Sequence, residues 1–572
     1  VENRLYSGRP TATFNLENSL AGYLAPWLVI CLMIVARNRT NLTGLASLAS
    51  ALLIAGVLFA THSRTGLLAV AAGIALLLIG KLNAGKSYFI GRCLAWLTAI
   101  SLLATATLFL TDYAVTAAAK RSLEVRWEYW ISSSEMIADH IWAGCGPGNF
   151  QERYTAYKLP SAVEEVGDPH NFLFEVWSTA GTPSMLAMLA VLGCFYLQVS
   201  KTILCNDATQ SSDLPTAAAM PDKAMPDKTM PDKTLVSERV ADRLILAGAA
   251  AGPLLAFAAG IAYAPIMLTP GLETAICSMA IIGSILVAVV VAFWHWIEKG
   301  CLSAWSIASG VAVVMINLSA ASGISIPGVS LTLWIMIAMG LNLAPPSARW
   351  RPGQRTTVAM IFSVLALSLA CHFSSHGPAV QSAVALQRAR EDEKQGRRPE
   401  QRGNLLAAAS ADPWSAEPPK KISMLEFQLL RAHLFSNDPR AAESQQAFED
   451  AVAMWLERAP DSADAAKIVG DMYLHLYRAS GQPSFLDKAI ESYSRAAQLY
   501  PNSNLILAHL AWALHVADRA ESVSTAKRGL KLDDLQPAGV QKLASPYQRL
   551  TDPSAPQESI RQTLERLAQP LN

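Results

Sequence analysis

Asp168-Pro169-His170-Asn171 closes a long polar stretch and leads straight into the apolar run Phe172-Leu173-Phe174. Pro169 disfavours helix on its upstream side, so the apolar run reads as the start of a new helix. The segment that follows, 172–199, is long enough to cross a bilayer, which takes about 20 mostly apolar residues. A histidine therefore stands at the water-facing mouth of a membrane segment. The polar stretch that it closes runs from residue 111 to 171 and holds Arg121, Arg126 and the turn Gly144-Cys145-Gly146-Pro147-Gly148-Asn149-Phe150.

The apolar pattern recurs on both sides. Candidate crossings lie at 19–36, 43–60, 66–80, 93–110, 172–199, 244–267, 273–296, 302–320, 329–343 and 357–372. The chain of 572 residues is 52% hydrophobic and 16% charged, where a soluble globular protein carries about 25% charge. The deficit is confined to residues 19–372, and residues 385–572 have ordinary soluble composition. The expected fold is all-α. A polytopic transmembrane bundle of about ten helices occupies residues 1–380, and a soluble helical-repeat domain occupies 385–572. The net charge of +1 averages over both parts, and no nucleic-acid partner is expected. The chain begins at Val1 in polar sequence, and further helices are expected to precede it in a longer protein. Of the eight cysteines, Cys145 alone lies in the polar stretch. Neither a disulfide framework nor a Cys/His cluster with zinc spacing is legible.

Lys and Arg content sorts the connections. Arg37 and Arg39, then Lys81, Lys86 and Arg92, the 201–243 segment, Lys299, and Arg349, Arg351 and Arg355 form one basic set. The positive-inside rule makes that set cytoplasmic. The 111–171 loop and everything after residue 372 then face outward. The 201–243 segment repeats Met-Pro-Asp-Lys at Met220, Met225 and Met230. Proline breaks helices and the repeat has little to bury, so it reads as a flexible linker.

The tail is helical by periodicity. Ala489–Asn502 has the character of the second helix of a tetratricopeptide repeat, with Ala465–Tyr477 as its first helix and Ala442–Leu456 as an earlier second helix. Leu505–Leu514 and Ala526–Leu530 continue the alternation. Two to three repeats of ~34 residues would stack because none buries its apolar face alone. A plain helical bundle is the competing reading.

Four groups could carry chemistry. A neutral His170 can take a proton from a hydroxyl nucleophile. On spacing alone, a histidine that caps the helix or anchors the loop has the stronger claim. Arg64, in Thr61-His62-Ser63-Arg64-Thr65-Gly66 between two apolar segments, can grip a phosphate through its bidentate fork, or can snorkel to the headgroups. Arg126 flanks an apolar stripe of Leu123, Trp127, Trp130, Ile137 and Ile141 on an amphipathic helix. It is either a second phosphate clamp or a solvated charge beside an interfacial face. The Gly144–Gly148 run could offer backbone N–H groups to an anion. A bare turn is the stronger reading, because no strand precedes the run and no Gly-Lys-Ser/Thr is present.

Together these residues resemble the O-antigen ligase and polymerase superfamily of bacterial envelope enzymes. Ser63-Arg64-Thr65-Gly66 is similar to its outward Ser-Arg-Gly/Ala element. Arg126 and Trp130, with the Gly144–Phe150 turn and Tyr154, resemble the start of its large external loop. His170-Asn171, nine residues and then Gly181 match its His-Asn pattern, with Ser184 in place of the usual Gly, Thr or Tyr. Phe14-Asn15-Leu16-Glu17-Asn18 resembles its Phe-x-Asn-Pro-Asn element without the proline. The resemblance implies a multi-pass protein of the bacterial inner membrane. It implies a cofactor- and metal-independent, inverting transfer of a glycan from undecaprenyl pyrophosphate. His170 would be the base. Arg64 and Arg126 would neutralise the pyrophosphate, with Asn171, Arg121 and Tyr154 as further substrate contacts. The outward loops lack an Asp-x-Asp pair, although Glu164, Glu165 and Asp168 form an acidic cluster. The acceptor could be lipid core, growing polysaccharide or a protein hydroxyl. A competing class is a non-catalytic scaffold or transporter whose tail binds a protein partner. Every candidate catalytic residue precedes Gly181, so the tail is expected to be dispensable for the chemical step and to serve acceptor or partner choice.

Overall fold

A computed structural model of the chain describes residues 16–37, 42–82, 113–211, 304–342, 353–535 and 560–569. Every regular element among them is a helix. The expected crossings at 93–110, 244–267 and 273–296, and nearly all of the 201–243 linker, lie outside the described residues, as do Phe14 and Asn15. The other seven expected crossings each coincide with a helix. Four helical stretches are long and apolar enough to cross a membrane, namely Glu17–Ala36, Leu42–Ala60, Phe172–Lys201 and Gln354–Lys394. Arg64–Leu77, Ala304–Leu318 and Pro327–Asn342 are shorter apolar helices.

The described residues fall into two compact units, those within 1–105 and 191–349, and those within 106–190 and 350–572. In the first unit α1 (Glu17–Arg37), α2 (Leu42–Ala60) and α3 (Arg64–Leu82) meet α7 (Ala304–Leu318) and α8 (Pro327–Asn342). Their shared core is Ala21, Ala25, Val29, Leu58, Ala69, Val70 and Val313. Lipid gives these helices no hydrophobic incentive to associate, so close backbone approach at small residues must do it. Gly73 shows the mechanism: a Cβ there would lie 2.8 Å from the Val29 side chain. The opposite face of α2 exposes Leu42, Leu52, Leu53 and Phe59, a surface that suits acyl chains.

The second unit holds α4 (Tyr113–Asp139), α5 (Phe150–Tyr157) and the first part of α6 (Phe172–Ser211), together with the C-terminal helices. α9 (Gln354–Cys371) leaves all its side chains exposed, including Val358, Ile361, Phe362 and Leu365. An apolar surface on every side is what a lipid-facing helix carries. α9 runs without a break through a π-helical turn, His372–His376, into α10 (Gly377–Lys394). Pro378 has no N–H to give, and the Gly377 N–H reaches back to the His372 carbonyl in the wider turn. The helix therefore passes straight through the 380–385 region.

The tail forms four antiparallel hairpins: α10 with α11 (Arg398–Ala411), α12 (Glu417–Phe435) with α13 (Ala441–Arg458), α14 (Ala463–Ser480) with α15 (Pro483–Leu499), and α16 (Asn504–Val516) with α17 (Glu521–Leu535). A short α18 (Ile560–Leu567) covers the last pair. Local sequence explains the boundaries. Ser462 and Ser503 cap α14 and α16 by accepting from the N–H of Ala465 and Ile506. Gly481 ends α14 in the left-handed conformation, and Pro483 opens α15. Gly470 lets α14 close on α15, since a Cβ there would sit 2.7 Å from the Tyr493 ring. Phe448, Trp455, Tyr473, Phe485 and Tyr493 fill the core between hairpins.

Candidate functional site

The polar loop has its own small core. Tyr129 and Met136 on α4 face Phe150 and Tyr154 on α5, with Val166 beside them. α4 is apolar on two sides, and this splits the stripe expected from sequence. Ile137 is buried and Trp130 half-buried, whereas Leu123 and Trp127 stay exposed, where a membrane interface suits them.

His170 sits at the end of this loop with φ 52°, a backbone region uncommon for a residue with a side chain. One carboxylate oxygen fixes it there. Asp168 Oδ1 accepts from the His170 backbone N–H at 2.8 Å and lies 2.7 Å from its Nδ1. A carboxylate can only accept, so Nδ1 holds a proton, and in the neutral imidazole Nε2 is the atom that presents a lone pair. The His170 side chain is 30% exposed, enough to be reached. The Tyr129 ring meets the imidazole edge-on at 5.8 Å. Trp130 donates to the Pro169 carbonyl at 3.1 Å and stacks on Phe174. Capping of α6 falls to the next residue: Asn171 Oδ1 accepts from the Leu173 N–H at 2.9 Å. Asn171, expected as a substrate contact, is buried in that role.

Arg126 lies one helical turn before Tyr129 and Trp130. Its Nη1 donates to the Ser122 carbonyl at 3.2 Å and to the Ser122 hydroxyl. Its Nε is buried with no hydrogen-bond partner among the described residues. Burial lowers its pKa, with Tyr129 opposing, yet a guanidinium stays charged. Such a cation has unused donor capacity, one helical turn from Tyr129, whose ring flanks the histidine. Arg121 is exposed on the same helix. Tyr154 is fully buried, stacked on Phe150, and burial pushes its phenol up to about 12. It builds the loop core and presents no surface to a substrate. Glu164 of the acidic cluster accepts from the Tyr129 hydroxyl at 2.5 Å. Among the described residues no three His, Cys, Asp or Glu side chains gather as a metal site would need.

The glycine-rich turn has a use that sequence reading missed. α6 breaks at Gly181, whose φ is 78° and ψ 176°. The break frees carbonyls, and the turn takes them: Cys145 N–H donates to Ser178 O at 2.8 Å and Gly146 N–H to Thr179 O at 3.0 Å. Thr182 N–H returns a bond to Ile141 O at 2.8 Å. These N–H groups are spent on the helix kink and are not offered to an anion. The signal lay in the sequence as three closely spaced glycines and a fourth downstream, all four of which adopt positive φ.

Arg64 opens α3 in the other unit. Its neighbour Ser63 accepts from the Gly66 N–H at 3.2 Å and donates to Asn18 at 2.7 Å, and Asn317 reaches Thr65 at 3.4 Å. Arg64 itself is exposed and, among the described residues, makes no ion pair. Asn18, Ser63, Thr65 and Asn317 thus form a polar cluster beside an exposed cation. Asn317, on α7, was not singled out from sequence.

Residues 48–189 match the family model described as O-antigen ligase. That stretch is an O-antigen ligase domain. It spans α2 through the Gly181 break and includes Arg64, Arg126 and His170. No curated protein and no solved structure matches the chain. The tail lies outside the match. The activity class that follows is an O-antigen ligase-type membrane glycosyltransferase, in a multi-pass membrane protein that acts on a lipid-linked glycan.

Proposed function

We propose that this O-antigen ligase domain moves a glycan from undecaprenyl pyrophosphate to an acceptor hydroxyl, by direct inverting displacement and without a metal. The observation that carries the reading is the Asp168–His170 pair at the mouth of α6. His170 Nε2 takes the hydroxyl proton as the acceptor oxygen attacks the anomeric carbon. The bond from that carbon to the pyrophosphate breaks, and undecaprenyl pyrophosphate leaves. Asp168 holds the tautomer and stabilises the imidazolium that forms. Arg126 and Arg64 neutralise the leaving group, whose charge is already spread and needs only fixed donors. The tail reads as a degenerate tetratricopeptide array, and a protein partner on its surface fits the same scheme.

Two expected results test this. Transfer from a lipid-pyrophosphate donor should proceed in chelator. Arg126→Ala should raise the donor KM by about 10–100-fold, the value of one or two charge-assisted hydrogen bonds. Arg126→Lys should recover only part, because an ammonium has no fork. Loss of all activity in chelator, or an unchanged donor KM in both Arg126→Ala and Arg64→Ala, would remove the corresponding part of the scheme.

The site is proposed to face away from the cytoplasm of a bacterial inner membrane. The basic connections support this, and so does the direct contact of the loop with the tail, since touching segments share a side. An impermeant thiol reagent on intact cells should label a cysteine introduced at position 115 and spare one at 227. Labelling at 227 would reverse the orientation.

A further inference from the structure

The polar loop is gripped by the tail. α5 and the residues after it meet two successive turns along one edge of the hairpin stack. At the turn between α13 and α14, Asp461 pairs with Arg153 at 2.7 Å. At the turn between α15 and α16 the contacts are denser. Thr155 donates to the Leu499 carbonyl at 3.3 Å, and Asn502 Nδ2 donates to the Lys158 carbonyl at 2.6 Å. Lys158 Nζ donates to the Tyr500 hydroxyl and to the Val163 carbonyl, and lies over the Tyr500 ring. Lys158 and Tyr500 are 3% and 5% exposed. Burial pushes the Lys158 ammonium down to about 8, with Glu165, Glu128 and Glu164 opposing. A long flexible side chain is not buried with its charge at a casual contact, because an ion left unpaired there costs too much.

The other face of α5 leads to the site. Phe150 and Tyr154 press on Tyr129, and Tyr129 flanks the His170 imidazole. Tail turns, α5, Tyr129 and His170 form one continuous line of contacts inside a single compact unit.

We infer that the hairpin stack is a positioning element of the transfer site, acting through Asp461, Tyr500 and Asn502 on Arg153, Thr155 and Lys158. This reverses the expectation that the tail is dispensable for the chemical step. It rests on His170 being the base of the proposed reaction. Tyr500, Asn502 and Asp461 touch no substrate; they hold the helix that holds the base. Small misplacement of a catalytic group costs ~10²-fold in rate, so loosening this line should show in kcat.

The test uses the full chain in membranes or detergent, with Tyr500→Phe alone and the triple variant Asp461→Asn, Tyr500→Phe, Asn502→Ala. Hydrogen exchange over residues 150–166 reports docking, and transfer to a small acceptor reports kcat and donor KM. The expected result is faster exchange together with a kcat reduced by about tenfold or more, at nearly constant donor KM. The charge swap Arg153→Asp with Asp461→Arg should restore what Asp461→Arg alone loses. Arg519→Ala, which breaks only the exposed pair with Asp487, should change neither readout. Faster exchange with normal kcat would overturn the inference, and so would unchanged exchange in the triple variant. If the triple variant does not insert, Tyr500→Phe alone decides by the same two readouts. His170→Ala keeps the two failures apart. Full activity in that variant sinks the base assignment and leaves the exchange result standing as a structural fact.

Discussion

Replacing His170 by alanine should lower glycan transfer by about 10²–10⁴-fold, the usual worth of a positioned general base, while the protein inserts and folds normally. Folding should survive because α6 is capped by Asn171, whose side chain the substitution leaves in place. Asp168→Asn should be nearly as informative. An amide at that position can turn its NH₂ toward Nδ1, which leaves the proton on Nε2 and removes the lone pair from the reacting side. The expected order is His170→Ala at or below Asp168→Asn, with both well below wild type, measured as kcat at saturating donor. A His170→Ala enzyme within about threefold of wild type, far short of a general base's worth, would assign the Asp168–His170 pair to loop anchoring only. Wild-type rates for Asp168→Asn alone would leave the base in place and remove the carboxylate from its support.

Gly181→Ala should damage the same activity by a different route, through structure. Gly181 has φ 78°, and an added Cβ would lie 2.5 Å from the Trp142 carbonyl carbon and 2.8 Å from the Ala143 nitrogen. Neither neighbour is the end of a flexible side chain, so the backbone itself must move. A residue with a Cβ held in such a conformation costs of order 1–3 kcal/mol before the clash is counted. The interlocked bonds of Cys145, Gly146 and Thr182 across the break should open together. Gly144→Ala should behave alike, because its Cβ would meet the Ala180 nitrogen at 2.6 Å. Limited proteolysis of the 140–150 turn and the thermal midpoint of the purified protein are the readouts. A Gly181→Ala protein with an intact turn and unchanged midpoint would show that the helix break is not needed to seat the turn.

The membrane part was legible because lipid imposes a simple rule. A chain that crosses hydrocarbon must be apolar for a full helical span, and that requirement is written residue by residue, as in Leu42–Ala60 and Phe172–Lys201. The tail was legible for a similar local reason. Ser462, Gly481 and Ser503 mark helix ends by their own backbone chemistry, and the helices expected over 465–477, 489–502 and 505–514 are present. Sequence named candidate site residues but not how they are arranged. Sequence offered His170 as the helix cap, and only the chain path shows that the cap is Asn171 and that His170 turns to Asp168. Tyr154 was expected as a substrate contact, and tertiary contact with Phe150 and Tyr129 buries it.

Sequence by itself therefore determined the helical membrane class and the helical character of the tail, since each depends on composition, periodicity or local capping. Tertiary structure alone decided three further matters. The N–H groups of the glycine turn go to the carbonyls freed at Gly181, the Asp168 carboxylate orders the histidine, and the tail turns at Asp461 and Tyr500 hold the polar loop. The physical reason is distance along the chain. Lys158 and Tyr500 are 342 residues apart, and no local rule of propensity or pattern links a buried ammonium to a phenol that far away. Only the free-energy cost of leaving either one unpaired in the folded core brings them together.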